Sequence, residues 1–193
     1  VKNPRIAPRF VSSDLPKVKQ SAAAFFVAGS GGPNNYGFTA TPGPDGSLFA
    51  GGIIFSSGFP TSTGAFQRNF QGPFGDGGTD MIIIKFNGTG TQRVYSTYLG
   101  GSGNDFPHSL FCDPLGQLVV MGRSYSTNFP TTVPAVGTAI GCNIVVTKLN
   151  AGGSALIGSM KIGGNGNDGV NIVDNYNAGS LTQTSLLQNY GDE

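Results

Sequence analysis

The feature that most constrains this sequence is an internal repeat. Residues 46–61 (GSLFAGGIIFSSGFPT) return 70 positions later as residues 116–131 (GQLVVMGRSYSTNFPT). Residues 80–90 (DMIIIKFNGTG) return 63 positions later as residues 143–153 (NIVVTKLNAGG). The seven-residue difference falls in the loop at residues 67–79, whose counterpart after Val136 is shorter. Units of this kind bury their apolar faces against each other, because one unit cannot do so alone.

Each unit is predicted to contain four short strands, because runs of β-branched and aromatic residues alternate with Gly, Pro, Asn and Asp. We expect strands at residues 36–41, 47–54, 80–86 and 93–99 in the first unit, and at 108–112, 117–123, 143–149 and 155–161 in the second. Partial matches at residues 24–28, 170–174 and 180–187 bring the total to about two and three-quarter units. Four antiparallel strands per unit predict an all-β fold built of β-propeller blades, each a four-stranded meander.

The composition agrees with this fold and excludes a helical protein. Glycine occupies 32 of the 193 positions, 11% of the residues are charged, and Glu193 is the only glutamate. Exposed helix faces normally carry many Glu, Lys and Ala, whereas this chain is rich in turn-forming residues.

A glycine-rich motif separates the units. LGGSGND at residues 99–105 recurs as IGGNGND at residues 162–168. Both copies fit the G-G-x-G-x-D pattern of calcium-binding rolls, which makes Asp105 and Asp168 candidate calcium ligands. Calcium rolls repeat that motif in tandem, so we favour turns between blades in which the two aspartates cap backbone N–H groups. We predict no cofactor and no catalytic residue.

Two further features recur in both units, and a third is a candidate for binding a protein or carbohydrate. Lys85 and Lys148 occupy the same place on the third strand, which indicates a structural role such as snorkelling or pairing across blades. Residues 59–61 and 129–131, both Phe-Pro-Thr, are expected to cover the outer edge of a blade. The long loop at residues 67–79 carries Phe70 and Phe74, which are either exposed anchors for a protein or carbohydrate or rings packed onto the blade.

The two cysteines and the charge distribution argue against a disulfide-linked protein and against a nucleic-acid-binding protein. Cys112 and Cys142 fall at opposite ends of one predicted sheet, so we expect reduced thiols rather than a disulfide. The first 19 residues carry a charge of +4 and contain Pro4, Pro8 and Pro16, which favours a solvated basic leader or linker. Neither a nucleic-acid surface nor a membrane span is expected, and Val1 suggests a mature or excised segment.

Taken together, these motifs resemble the SBBP β-propeller repeat. The pattern is D/N-x-x-G-x-[LV]-[FV]-x-x-G, then S-x-x-F-P-T, then a strand ending in K-[FL]-N-x-x-G, then Y-S-T-Y-L-G-G-S-G-N-D. The best matches are residues 95–105 and 116–131, and the resemblance covers about residues 24–187. The resemblance implies a secreted or cell-surface bacterial protein in which the repeat is a scaffold, with no shared catalytic residues.

From the repeat and this resemblance we predict five segments and a function. The segments are a basic leader at 1–21, the last strand of a preceding blade at 22–35, blades at 36–105 and 106–168, and a partial blade at 169–193. Closed propellers contain about four to eight blades, so this chain would be completed by further chain or by partner subunits. We expect a non-catalytic scaffold for adhesion or protein–protein contact. The alternatives are a subunit of an assembly completed by partner strands, and a propeller lyase or hydrolase.

Overall fold

Two antiparallel four-stranded sheets make up the described part of the protein. The computed structural model describes residues 35–73, 78–137, 141–164 and 166–168. Sheet 1 contains β1 (Asn35–Pro42), β2 (Leu48–Ile54), β3 (Asp80–Phe86) and β4 (Arg93–Leu99), and sheet 2 contains β5 (Asp105–Cys112), β6 (Leu118–Ser124), β7 (Asn143–Leu149) and β8 (Leu156–Ile162). In each sheet the strands lie side by side in chain order. Over the described ranges, no helix is long and apolar enough to cross a membrane.

The all-β prediction is confirmed, and so is the four-stranded meander of each unit. The observed bounds of β3, β4 and β7 are those predicted, and β2, β6 and β8 begin one residue later. β5 begins at Asp105 instead of His108, because pairing with β6 continues past an irregularity between Pro107 and Ser109. The two sheets do not close into a ring. The strands expected at 24–28, 170–174 and 180–187 lie outside the described residues.

The turn between the first two strands is built alike in both sheets. Gly46 and Gly116 both have φ of 75°, a left-handed conformation that favours glycine. The N–H of Gly46 donates to the carbonyl of Gly43, and the N–H of Gly116 donates to the carbonyl of Asp113. The same short turn therefore recurs with a shared proline and glycine, although the other two turn residues differ.

The main hydrophobic core lies between the two sheets. Because side chains alternate along a strand, Phe49, Met81, Ile83 and Leu99 share one face of sheet 1. They cluster with Leu118, Val120, Val145 and Leu149, which share one face of sheet 2, and all eight are at most 1% exposed. A second cluster covers the opposite face of sheet 1 and includes Phe59, Phe70, Ile82 and Tyr98. Face-to-face packing therefore buries the surface that either sheet alone would leave in water.

The edge of the fourth strand is covered in both sheets, as predicted for the two Phe-Pro-Thr segments. In sheet 1, Ser96 Oγ donates to the carbonyl of Pro60 at 2.6 Å, and the N–H of Ser62 donates to the carbonyl of Ser96 at 2.9 Å. In sheet 2, Ser159 Oγ donates to the carbonyl of Pro130 at 2.7 Å, and the N–H of Thr132 donates to the carbonyl of Ser159 at 3.0 Å. Covering an edge in this way protects it from pairing with another chain.

The contact between the sheets predicts a large effect of shortening Phe49. Its side chain is 0% exposed, so Phe49→Ala should lower the free energy of unfolding by about 3–5 kcal/mol through lost burial and a cavity. Urea denaturation followed by circular dichroism measures this loss. Leu115, in a turn and 73% exposed, is the control: Leu115→Ala should change stability by less than about 0.5 kcal/mol. Equal effects of the two substitutions would contradict the assignment of Phe49 to the core.

Candidate functional site

The two aspartates of the glycine-rich motifs cap backbone N–H groups, as favoured from the sequence. Asp105 Oδ2 accepts hydrogen bonds from the N–H of Gly101 at 2.8 Å and from Ser126 Oγ at 2.7 Å. Asp168 Oδ2 accepts a hydrogen bond from the N–H of Gly164. Each carboxylate therefore closes the loop that leaves a fourth strand.

Calcium binding at Asp105 and Asp168 stays a prediction. The structure places one oxygen of each carboxylate on its own loop rather than on the other motif. Among the described residues, no group of three or more His, Cys, Asp or Glu side chains is placed to hold a metal ion. A calcium ion at either motif would therefore have to draw most of its ligands from carbonyl groups or water.

The long loop does not present Phe70 to solvent. Phe70 is 8% exposed, and its ring centroid lies 6.2 Å from that of Tyr98 in an edge-to-face contact. The expectation of an exposed Phe70 is therefore wrong, and the alternative of a ring packed onto the sheet is correct. The ring is buried because the loop follows the β4 edge, where the carbonyl of Gln67 accepts from the N–H of Tyr98. Phe74 lies outside the described residues.

The repeated lysines pair within a sheet rather than across blades. Lys85 Nζ lies 3.3 Å from Asp45 Oδ2, and Lys148 Nζ lies 2.8 Å from Asp113 Oδ2. Both aspartates belong to the turn between the first two strands of the same sheet, so the expected pairing across blades is wrong. Lys85 also lies over the ring of Phe49, 5.1 Å from its centroid. The structural role expected for these lysines agrees with these contacts.

A buried pair of carboxyl groups, which the sequence did not single out, lies where the two sheets join. Asp80 begins β3, Asp105 begins β5, and both are 0% exposed. Burial, opposed in part by hydrogen bonds, raises the pKa of Asp80 to about 7, and the charge of Asp105 adds to the increase. Burial likewise raises the pKa of Asp105 to about 6, against the lowering effects of Ser124, Gly101, Ser126 and Lys161.

Gln67 ties this pair to the long loop. Its side-chain oxygen accepts from the N–H of Gly100 at 3.1 Å, and its Nε2 lies 3.5 Å from Asp80 Oδ2. The N–H of Gln71 donates to the same Asp80 oxygen at 2.7 Å. In the sequence, the only sign of this contact is that Gln67 stands three positions before Phe70. A polar residue at that distance from a loop aromatic is too common to predict a contact.

His108 is half-buried on β5. Burial and the nearby charge of Arg123 lower its pKa to about 4. The ring is therefore neutral at neutral pH. A catalytic histidine is oriented by a carboxylate, whereas His108 lies beside the positive charge of Arg123.

The two cysteines are free. Cys112 ends β5 opposite Leu118, whereas Cys142 precedes Asn143, which pairs with Ser124 at the other end of β6. About 20 Å of strand separates those positions, so the structure agrees with the expected reduced thiols. Burial raises the pKa of both thiols.

One face of sheet 2 remains partly open, and we call it the open face. It is formed by side chains that alternate with the buried ones along β6, β7 and β8: Val119, Met121, Ile144, Val146, Met160 and Ile162. These residues are half-buried, and Ile162 is 37% exposed. Phe111 on β5, opposite Val119, is 63% exposed.

Comparison with known proteins gives no match, either to a protein-family model or to a curated protein.

The burial of Phe70 predicts a loss of stability when its ring is removed. Phe70→Ala should lower the free energy of unfolding by about 3 kcal/mol, because the ring fills space beside Tyr98. The measurement is urea denaturation at fixed pH. Arg68, exposed in the same loop, provides the control, and Arg68→Ala should change stability by less than about 0.5 kcal/mol. If Phe70→Ala were as stable as Arg68→Ala, the burial of Phe70 would be contradicted and Phe70 would again be a candidate for an exposed anchor.

Proposed function

We propose that this chain is a non-catalytic scaffold segment of a β-propeller, in which the open face of sheet 2 packs against a further sheet of the same repeat. The protein to which it belongs is a secreted or cell-surface bacterial protein involved in adhesion or protein–protein contact. The location and the adhesive role rest on the resemblance to the SBBP repeat.

A comparison of equivalent positions in the two sheets carries this proposal. Phe49, Met81, Ile83 and Leu99 of sheet 1 are all 0% exposed, because sheet 2 covers them. The positions that correspond to them in the repeat lie on the open face: Val119, Ile144, Val146 and Ile162. The first three are half-buried, and Ile162 is 37% exposed. The same face is thus apolar in both sheets and is fully covered in the first alone.

The chemistry of the open face specifies what would cover it. Complete burial of a Val, Ile or Met side chain contributes about 1.5–3 kcal/mol, so the four to six apolar residues of this face favour an apolar partner. Sheet 2 already shows which surface suits such a face, since Leu118, Val120, Val145 and Leu149 pack there against sheet 1. A further sheet with these residue types at these positions is therefore the partner that the repeat itself supplies.

The capping of the junction loops adds support. Residues 99–105 lead from β4 of sheet 1 into β5 of sheet 2, and Asp105 closes that loop on Gly101. Residues 162–168 repeat the same motif after β8, and Asp168 makes the corresponding bond to Gly164. The same capping bond therefore follows each of the two sheets.

Packing through a face agrees better with the structure than addition of a strand at an edge. The N–H and carbonyl of Ser159 on β8 bond to Thr132, and the carbonyl of Lys161 accepts from the N–H of Val136. These groups are the ones that a partner strand would need for β-augmentation. Among the alternatives, completion of sheet 2 by a partner strand at β8 is therefore not favoured.

A charge placed on the open face tests the proposal. When no further sheet of the repeat is supplied, a second copy of the chain should take its place on the open face. Light scattering after size-exclusion chromatography should then give the wild-type chain a mass above 19.8 kDa that rises with concentration. Val146→Asp should return the mass to 19.8 kDa, since a carboxylate cannot be buried there without a partner.

Leu115→Asp is the matched control, because Leu115 is 73% exposed in a turn and away from the open face. It should associate as the wild type does, and circular dichroism should show all three proteins folded. A wild-type chain of 19.8 kDa at every concentration whose stability equals that of Val146→Asp, or the same loss of association in both variants, would contradict the proposed role of the open face.

A further inference from the structure

The buried carboxyl groups of Asp80 and Asp105 approach each other across the junction of the two sheets. A Cβ atom placed on Gly100 would lie 2.4 Å from Asp80 Oδ1 and 2.7 Å from Asp105 Oδ2. The two oxygens are therefore at most about 5 Å apart, on either side of a residue that has no side chain. Any larger residue at position 100 would collide with both carboxyl groups.

The hydrogen bonds of the pair leave one oxygen of each carboxyl group unpaired. Asp80 Oδ2 accepts from the N–H of Gln71, and Asp105 Oδ2 accepts from Gly101 and Ser126. The other oxygens, Asp80 Oδ1 and Asp105 Oδ1, have no hydrogen-bond partner within the described ranges, although both are buried. An unpaired buried oxygen is costly unless it carries or shares a proton.

The charges around the pair do not compensate two carboxylates. Asp80 is faced by Asp105 and by the hydroxyl-bearing ring of Tyr98, neither of which is a cation. Asp105 is faced by Asp80, Cys142 and Lys161, and only Lys161 is positive. Lys161 is itself 3% exposed and donates to the carbonyl of Ser126. One buried cation therefore serves two buried carboxyl groups.

We propose that Asp80 and Asp105 form a proton-binding site between the sheets, and that the pair holds one proton at neutral pH on the Asp80 side. Two carboxylates this close and this deeply buried cannot both be charged, as in other buried acid pairs. Asp80 takes the proton because the positive charge of Lys161 stabilises the carboxylate of Asp105 and not that of Asp80. The protein's packing at this junction is therefore sensitive to pH.

The sign of the pH dependence follows from linkage. In the unfolded chain both carboxyl groups have the ordinary pKa of 3.8, whereas in the folded protein the pKa values are about 7 and about 6. The folded protein thus holds more protons than the unfolded chain between these values. The stabilising contribution of the pair is complete below the unfolded pKa and is lost as the pH rises through the folded values.

The second unit of the repeat contains a natural comparison. Asn143 occupies the place of Asp80, and Asp168 occupies the place of Asp105. The side-chain oxygen of Asn143 lies against Gly163 as Asp80 lies against Gly100. An amide is neutral at every pH, so Asp80→Asn converts the first junction into the chemistry of the second with nearly the same shape.

Melting temperatures of the full chain between about pH 5 and about pH 8 test the proposal. The wild-type melting temperature should fall across this range, and Asp80→Asn should remove most of the fall. At about pH 8 the variant should melt roughly 5 °C above the wild type, because the buried charge is gone. Asp45→Asn, at an exposed aspartate outside the pair, is the control and should keep the wild-type pH dependence.

Carbon-13 NMR of labelled aspartate carboxyl groups provides a second measurement on the wild type, independent of whether any variant folds. One carboxyl carbon should titrate near neutral pH, and that pKa should fall in Asp105→Asn. Titration of every aspartate below about pH 5, or an unchanged melting profile in Asp80→Asn, would overturn the proposal. A shift of the neutral titration to below about pH 5 in millimolar calcium would also overturn it, since a cation would then neutralise the pair.

Discussion

The apolar contact between the two sheets is the interaction on which the rest of this structure depends. A four-stranded meander has two faces and no interior, so it becomes stable only when a second layer covers it. Phe49, Met81 and Ile83 meet that requirement for sheet 1 by packing on sheet 2. Hydrogen bonds from the N–H of Phe66 to the carbonyl of Gly153 and from the N–H of Asp105 to the carbonyl of Thr79 join the first unit to sheet 2 beside this contact.

Close stacking also explains why polar groups are buried at the junction. The chain must turn sharply from β4 into β5. The buried N–H groups of that turn need partners within the protein, because water cannot reach them. Asp105, Ser126 and Gln67 supply those partners. The result is a place where two buried carboxyl groups share little positive charge, and burial raises the pKa of both.

Local signals account for what could be predicted. Strand bounds agreed within a residue for most strands, because alternation and turn residues act over only a few positions. The partner of Lys85 could not be predicted by alignment, since Asp113 corresponds to Gly43 and the carboxylate in the first turn comes from Asp45. The burial of Phe70 was equally hidden, because it depends on Tyr98, which is 28 positions away.

The amino-acid sequence by itself determined the repeating unit, its four strands and its turns, because strands and turns depend on residues close together in the chain. It also predicted that the Phe-Pro-Thr segments cover an edge, because a proline ends strand pairing wherever it stands. Tertiary structure decided which faces are buried, which turn carboxylate each lysine contacts, and that Asp80 and Asp105 meet across Gly100. The physical reason is that the exposure of a face, like the charge of a buried acid, depends on the layer that packs against it.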